Sequence, residues 1–594
     1  MNFLSLQRRE TLAHGRFIAQ AGQEICDDVQ CDPAQFVRIG LLSFSIKFMP
    51  VLLGLCLSGV AHAELAQNIS VDIRSLSLGN AVTADPPGIS AIHFNPAGLS
   101  HVRGLQTDLQ GLMLGLSIER EFNAPPGFNV FGYSDDPVVC NVPASSVGSN
   151  GLCPDFKDGK STVRSVSLYI PVLKKIINLP AGMPVAIPFG AVAYRAPDSK
   201  ITYANGFYAP LAVGFNQEKG DSGNFMGEMV ALERITYLSP SASYQVSDNL
   251  SLGASIGISY AAVALSTDLR LPNELIGVMR LIDENICAPF KQNSTIITDL
   301  LLFGLCNAQT SVGPFKRIAK LKVAMDQTAS PSYNLGLLWE PSEDFALGMV
   351  YQSSAKQKLK GHFKLTVDPG APDLIAGLNS SVTGQILSAL LGFPSSIPAT
   401  SEGLASMKLE YPAHFQTGIK YKIFPDLQIN FDVGWTDYSA WKELPIQFDR
   451  SLGVLQIAKL LAPTVTANSL AVPLNFVSPW NFGVGIEYSM TNRLKLRMGY
   501  EPRTSAIPSG QRSTLVPING AQLFGMGAGY RFDKDTDIDL TAAFLRSRDS
   551  IPANTSKLAN YTGVDNLILN PYAGLDIKTS ATIVILGIAY RTRW

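Results

Sequence analysis

A few groupings in the chain have spacings that could support catalysis. Gly253-Ala254-Ser255-Ile256-Gly257 matches the G-x-S-x-G nucleophile elbow, in which a strand-to-helix turn lifts a serine hydroxyl out to attack a carbonyl. That chemistry needs a helix after the serine. Here the motif lies in an alternating stretch with Gly253, Ser255 and Gly257 on one face, so a strand is expected. Ser255 survives only as the nucleophile of an alternative reading, an outer-membrane lipid hydrolase. Gly159-Lys160-Ser161 resembles the end of a phosphate-binding loop, but Pro154 stands where the first glycine is required. The six histidines form no H-x-x-x-H pair. No enzyme, metal or cofactor is expected.

Cysteines and leader point to export. Lys47 precedes the apolar run 48–57, and Ala61-His62-Ala63 fits a small-residue cleavage site. Residues 1–63 are therefore read as an N-terminal extension plus signal peptide. Leu55-Cys56 resembles a lipoprotein box, with Leu55 too large for it. Of seven cysteines, Cys140, Cys153, Cys287 and Cys306 would remain. Their two close pairs predict Cys140–Cys153 and Cys287–Cys306 disulfides in an oxidising compartment, since neither pair has a zinc-type C-x-x-C spacing.

Those residues must sit on an unusual scaffold. Only 16% of the residues are charged, glycine is abundant at 50, and after residue 63 no apolar run is long enough for a membrane helix. A membrane β-barrel hides its hydrophobicity in alternate residues. Phe482, Val484, Ile486 and Tyr488 alternate with Asn481, Gly483, Gly485 and Glu487. Leu494, Leu496, Met498 and Tyr500 alternate with Arg493, Lys495, Arg497 and Gly499, and Phe524 to Tyr530 repeat the rule, with Arg531 next. The glycine-and-charge face is expected to line a water-facing lumen, with Arg493, Lys495, Arg497 and Arg531 as its cations. The net charge of −1 gives no reason to expect nucleic acid.

Fourteen strands are predicted, near 103–122, 161–173, 184–196, 228–246, 249–265, 320–340, 344–366, 406–423, 426–448, 479–489, 492–503, 521–532, 537–548 and 579–594. Tight connections such as Ser247-Asp248, Pro341-Ser342-Glu343 and Thr491-Asn492 alternate with long ones, among them 123–160, 197–227, 266–319 and 367–405. Short periplasmic turns opposite long extracellular loops characterise an outer-membrane barrel. The chain ends on an alternating row closed by Trp594, an ending similar to the C-terminal signal read by the outer-membrane insertion machinery.

Ahead of the first strand lie Ser77-Leu78-Gly79-Asn80-Ala81 and Ser90-Ala91-Ile92-His93-Phe94-Asn95-Pro96-Ala97-Gly98-Leu99. Together they resemble the hatch of the FadL/TodX family of outer-membrane transporters of long-chain fatty acids and aromatic hydrocarbons, which carries an Asn-Pro-Ala triplet shortly after the leader. Downstream, Tyr237 to Tyr244, Asp248 to Gly253, Tyr411-Pro412, Asp432 to Ser439 and Trp480 to Tyr500 look similar to the same family. The resemblance implies an all-β membrane protein in the bacterial outer membrane: a 14-stranded antiparallel β-barrel (103–594) with an N-terminal hatch or plug (64–102) and helical extracellular loops. It also implies capture of a hydrophobic ligand in an outer groove, passage to an inner pocket, and sideways exit into the membrane through a kinked third strand.

Several residues fit that mechanism physically. Leu271, Leu275, Ile276, Met279 and Ile282 in one loop, and Leu374, Leu378, Leu387, Leu390 and Phe393 in another, are more apolar than solvated loops require, and exposed apolar patches mark binding surfaces. Pro184, Pro188 and Gly190 in the proposed third strand should weaken pairing and favour a lateral opening. Asn95, Pro96 and Ala97 are the candidate gating residues, Asn95 bonding the wall and Pro96 fixing the turn. The expected partners are a long-chain fatty acid or other hydrophobic small molecule and outer-membrane lipid, with the protein a monomer. The alternatives are an aromatic hydrocarbon channel of the same family, the lipid hydrolase, and an adhesin-like structural barrel.

Overall fold

The structure is a computed structural model that describes residues 71–126, 160–170, 175–218, 221, 223, 227–270, 317–380, 382–459, 465–503, 505–516, 518–561, 572 and 574–594. All of these fall within one compact unit. Cys140, Cys153, Cys287 and Cys306 lie outside them, as do Leu271, Leu275, Ile276, Met279 and Ile282.

Fourteen antiparallel strands form one closed wall. They are β1 (Gly104–Asn123), β2 (Lys160–Val163 with Val185–Arg195), β3 (Ile201–Asn216), β4 (Met229–Leu238 with Ser241–Ser247) and β5 (Leu250–Arg270). Next come β6 (Arg317–Ser342), β7 (Phe345–Gln352 with Ala355–Val367), β8 (Thr400–Tyr411 with His414–Phe424) and β9 (Leu427–Thr436 with Glu443–Phe448). The last are β10 (Ser469–Pro473 with Trp480–Ser489), β11 (Leu494–Arg503), β12 (Ala521–Arg531), β13 (Thr536–Ile551) and β14 (Asp576–Arg593). β14 closes on β1 in unbroken register from Gln106↔Arg593 to Asn123↔Asp576. Closure pairs every strand with two neighbours, the condition for crossing a bilayer with strands. No described helix is long and apolar enough to do so.

Alternation gives each strand two faces. Leu109, Met113, Ile256, Leu335, Met498, Met526 and Leu586 project outward, each at least half exposed except in an assembly with lipid. These rows form the band that meets the hydrocarbon. Among the described residues, long loops at the other end carry α1 (Gly370–Asn379), α2 (Val382–Leu391) and the short α3 (Gly453–Ala458).

Three expectations need correction. The predicted strands 161–173 and 184–196 are parts of one strand, β2, because the described residues between Val163 and Val185 leave the wall, and among them Ser167–Ile170 pairs with Lys175–Asn178. Conversely, β3 was expected to be loop. Asn205-Gly206 and Pro210 look like turn signals, yet Thr202, Ala204 and Tyr208 bury inward while Ile201, Tyr203 and Phe207 face out. Pro188 and Gly190 therefore belong to the second strand, and Pro184 sits just before its longer segment. Finally, the glycine face is not water-filled near the short-turn end. It is packed against the N-terminal segment.

Candidate functional site

That segment, 71–102, is the hatch. Asp72 caps its first helical turn (Ile73–Ser77) by accepting from Ser75 N at 2.7 Å. Gly79 and Asn80 follow with φ of 60° and 57°, the left-handed region that glycine and asparagine tolerate best. This explains the Leu78-Gly79-Asn80-Ala81 sequence: the chain must reverse sharply against the wall. The wall accommodates it with glycines. A Cβ added at Gly483 or Gly499 would strike the Gly79 backbone, one at Gly525 the Leu76 carbonyl, and one at Gly348 the Thr83 carbonyl. Gly525→Val is therefore expected to unseat the hatch. Trypsin cleavage after Arg74 in the solubilised barrel should become faster, and unchanged protection would show that the wall yields instead.

The Asn-Pro-Ala triplet is buried. Asn95 Oδ1 accepts from Ala97 N at 3.1 Å, while its Nδ2 donates to Thr83 O at 2.8 Å and to Leu337 O of β6 at 3.0 Å. Pro96 opens the 3₁₀ turn Pro96–His101, where a missing N–H costs nothing. Ser243 Oγ of β4 donates to Ala97 O at 3.1 Å. Only backbone fits opposite: Gly253 faces Pro96 and Gly336 faces Asn95. The G-x-S-x-G stretch belongs to the same seat. Ser255 Oγ donates to Ile92 O at 3.0 Å, on a continuous strand, so the motif anchors the hatch.

Charges lock the other side. Arg591 of β14 reaches Asp108 at 2.8 Å, hatch Asp72 at 3.3 Å, and Asp539. Arg74 of the hatch pairs with Asp85 at 2.5 Å and with Glu487 at 3.2 Å. Burial opposes ionisation of Asp85, but the Arg74 guanidinium, helped by Lys420 and Gln428, holds its carboxyl well below the usual carboxylate range. The four expected lumen cations join this end. Lys495 pairs with Glu487 at 2.6 Å, Arg497 with Glu487 at 2.7 Å and with Asp539, and Arg531 with Asp537 at 3.4 Å. Arg493 is exposed beside them at the short-turn end. Lumen-facing register alone could not reveal that carboxylates on neighbouring strands already engage three of them.

Sequence reasoning missed two other arginines. Arg120 of β1 is 1% exposed; its Nη2 donates to Thr514 O at 3.1 Å and it lies 5.5 Å over the Phe215 ring, but among the described residues Nε and Nη1 have no hydrogen-bond partner. Arg234 of β4 donates to Ser259 and Ser332 hydroxyls at 3.1 and 2.8 Å and stacks on Tyr411 at 4.2 Å. Neither has a carboxylate in salt-bridge reach among the described residues. Phe215, the ring under Arg120, also lines an apolar cavity of about 90 Å³ together with Leu116, Ile118, Ile187, Leu211 and Leu515, among others.

This cavity abuts a gap in the wall. β2 pairs with β3 only from Gly190↔Phe207 to Tyr194↔Tyr203, so Val185–Phe189 are bonded to β1 alone. Pro188 sits in the unpaired stretch, where a strand tolerates proline. β3 itself bulges at Ala209–Pro210, where its register with β4 shifts between Tyr208 and Leu211. Val166 and Leu168 of the excursion pack over the cavity, and the hairpin is pinned outside the barrel by Tyr169 N donating to Glu233 at 2.6 Å.

The family described as "Outer membrane protein transport protein (OMPP1/FadL/TodX)" matches residues 55–594. The chain belongs to this family. A long-chain fatty acid transport protein of Escherichia coli is 20% identical over 217 residues, 36% of this chain and 42% of that protein. A 47 kDa outer membrane protein of Pasteurella multocida is 22% identical over 240 residues, 39% of this chain and 49% of that protein. The chain thus spans less than half the length of these curated relatives. Among solved structures, a Pseudomonas aeruginosa FadL homologue superimposes with a TM-score of 0.59 at 18% identity, covering 90% of this chain and all of that one. The P. putida toluene transporter TodX gives 0.51 at 14% identity, covering 85% and 94%. The FadL/TodX fold, and with it residence in the bacterial outer membrane, is thereby established.

In this FadL/TodX barrel five of the loop residues expected to form a groove, Leu374, Leu378, Leu387, Leu390 and Phe393, fall within the described residues. Ile375 of α1 is buried and Phe393 packs beside it on the apolar interior, whereas Leu390 of α2 is 79% exposed. Leu374 and Leu378 lie on α1 and Leu387 on α2.

Proposed function

We propose that the chain is a passive channel that admits long-chain fatty acids across the outer membrane. The observation that carries this reading is the apolar cavity whose Phe215 wall lies under the Arg120 guanidinium: a greasy slot suits an alkyl chain, and a buried guanidinium one side chain away suits the carboxylate it bears. The cavity holds only a few methylene groups, so a longer tail must extend up into the apolar lumen or out through the gap. Ligand enters from the long-loop end, where Phe363, Leu365, Met407 and Leu409 line the lumen. It meets the hatch below. The unpaired stretch Val185–Phe189, with Pro188 and the bulge at Ala209–Pro210, supplies the lateral way into the bilayer. Small shifts of Asn95, Pro96 and Ala97 control passage, because a hydrophobic ligand moves between apolar sites at little cost and a small bias tips it.

The test is fatty-acid uptake by cells lacking their own transporter. They express this chain or a version with Asn95, Pro96 and Ala97 replaced, at equal surface levels. Uptake that depends on the triplet is expected. No uptake by the correctly inserted native chain would sink the fatty-acid assignment and make aromatic hydrocarbons the next cargo to try.

A further inference from the structure

The outer surface of the wall changes character above the lipid-facing band, and it does so on one side. On β7 the outward row reads Phe345, Leu347, Met349 and Tyr351, then Lys356, Lys358 and Lys360. An apolar band about 25 Å tall, starting at Phe345 and climbing a tilted strand at about 3.3 Å per residue, ends near Lys356. The lysines therefore stand at the level of the outer-leaflet head groups. Strand pairing adds a fourth. Lys358 is opposite Lys408 of β8, Lys356 opposite Glu410 and Lys360 opposite Ser406.

All four ammonium-bearing side chains are exposed, and among the described residues none has a carboxylate in salt-bridge reach. Of the lysines higher on the same face, Lys322 is likewise exposed without a carboxylate in salt-bridge reach among the described residues, but two others are paired. Lys364 pairs with Glu402 at 2.5 Å and Lys320 with Glu228 at 2.6 Å. Asp326, opposite Lys360, instead accepts from the Tyr260 hydroxyl at 3.1 Å. Like charges directly across a ladder destabilise a sheet, and solubility alone is served by mixed signs, so four bare lysines need an external partner. On β1 the outward row past the band reads Ser117, Glu119 and Glu121, so the basic character is local. Above the lysines, the same face opens into a groove of about 1150 Å³ lined by side chains of both signs, Lys322, Lys364, Glu228, Glu402 and Asp449 among them, and by Ile176 of the inserted hairpin.

We infer that Lys356, Lys358, Lys360 and Lys408 bind the phosphates of the outer-leaflet glycolipid, with its sugars rising into the groove. Phosphate is the anion found at this height in an outer membrane, and a lysine at a charged membrane surface attracts it as a point charge. The inference is independent of what the channel carries.

The test is binding of diphosphoryl lipid A to the purified full-length barrel in non-ionic detergent, against the same lipid dephosphorylated. The K356Q/K358Q/K360Q/K408Q variant is expected to bind diphosphoryl lipid A about a hundredfold more weakly, while the fourfold arginine variant retains binding. Heat-modifiable gel mobility verifies that each variant is folded. Equal binding by the folded glutamine variant, or equal affinity of the native protein for the dephosphorylated lipid, would overturn the assignment and leave only acyl-chain contact with the band.

Discussion

Arg120→Leu should weaken long-chain fatty-acid binding by about tenfold to a hundredfold, the worth of one or two hydrogen bonds to a charged group. Binding of an uncharged alkane of the same length should be unchanged. The asymmetry follows from the site. Among the described residues Nε and Nη1 make no hydrogen bond, so a carboxylate gains donors, whereas an alkane gains only the walls. Leucine fills similar volume among Ile118, Phe215 and Leu515 and removes a buried charge. Loss of fold is therefore the wrong explanation for any lost affinity, and denaturation should show the variant as stable as the native chain or more so. Equal losses for acid and alkane would remove Arg120 from the head-group role.

Arg591→Leu should have the largest effect on the hatch. It leaves Asp72, Asp108 and Asp539 without their shared cation, all three buried. Removing one partner from a buried ion pair costs about 3–5 kcal/mol. Part of that falls on the hatch alone, through Asp72, which also accepts from Ser90 and Gln110 at 2.7 and 2.8 Å. Arg591→Lys should recover little, because an ammonium cannot fork to three carboxylates. Denaturant unfolding followed by tryptophan fluorescence measures the barrel, and protease access at Arg74 measures the hatch. If Arg591→Leu leaves both unchanged, the network is decoration on a hatch held by its backbone.

The outward faces were readable from sequence because a strand against lipid must alternate, and the rows at 482–488, 494–500 and 524–530 do so without interruption. The inward face was not. Glycine there suggested a wet lumen, when its cause is close approach of the Leu76 to Asn80 backbone, a contact far away in sequence. β3 was hidden for a related reason. Gly206 allows close approach to Ala191 of the neighbouring strand and Pro210 sits in a bulge, and both residues read locally as loop. The strand total survived only because splitting β2 compensated for losing β3. Asn95 was found through the resemblance of its Asn-Pro-Ala triplet, which is local in sequence. Arg120 could not be, since one arginine on an alternating strand looks the same whether carboxylates or a cavity surround it.

The wall is taller than the bilayer it crosses. β6 alone runs 26 residues, and its upper half keeps Leu321, Val323 and Met325 turned inward after the outward face has become lysine-rich. On the proposed function this matters for the sugar coat of the cell, which repels greasy solutes because they would have to dissolve in hydrated polysaccharide. A molecule inside this chimney never samples that medium. Its transfer from water is completed at the top of the protein, and the rest of its path is apolar. Uptake through the channel should then be indifferent to the length of the polysaccharide chains, while unassisted permeation of the same molecule falls as they lengthen.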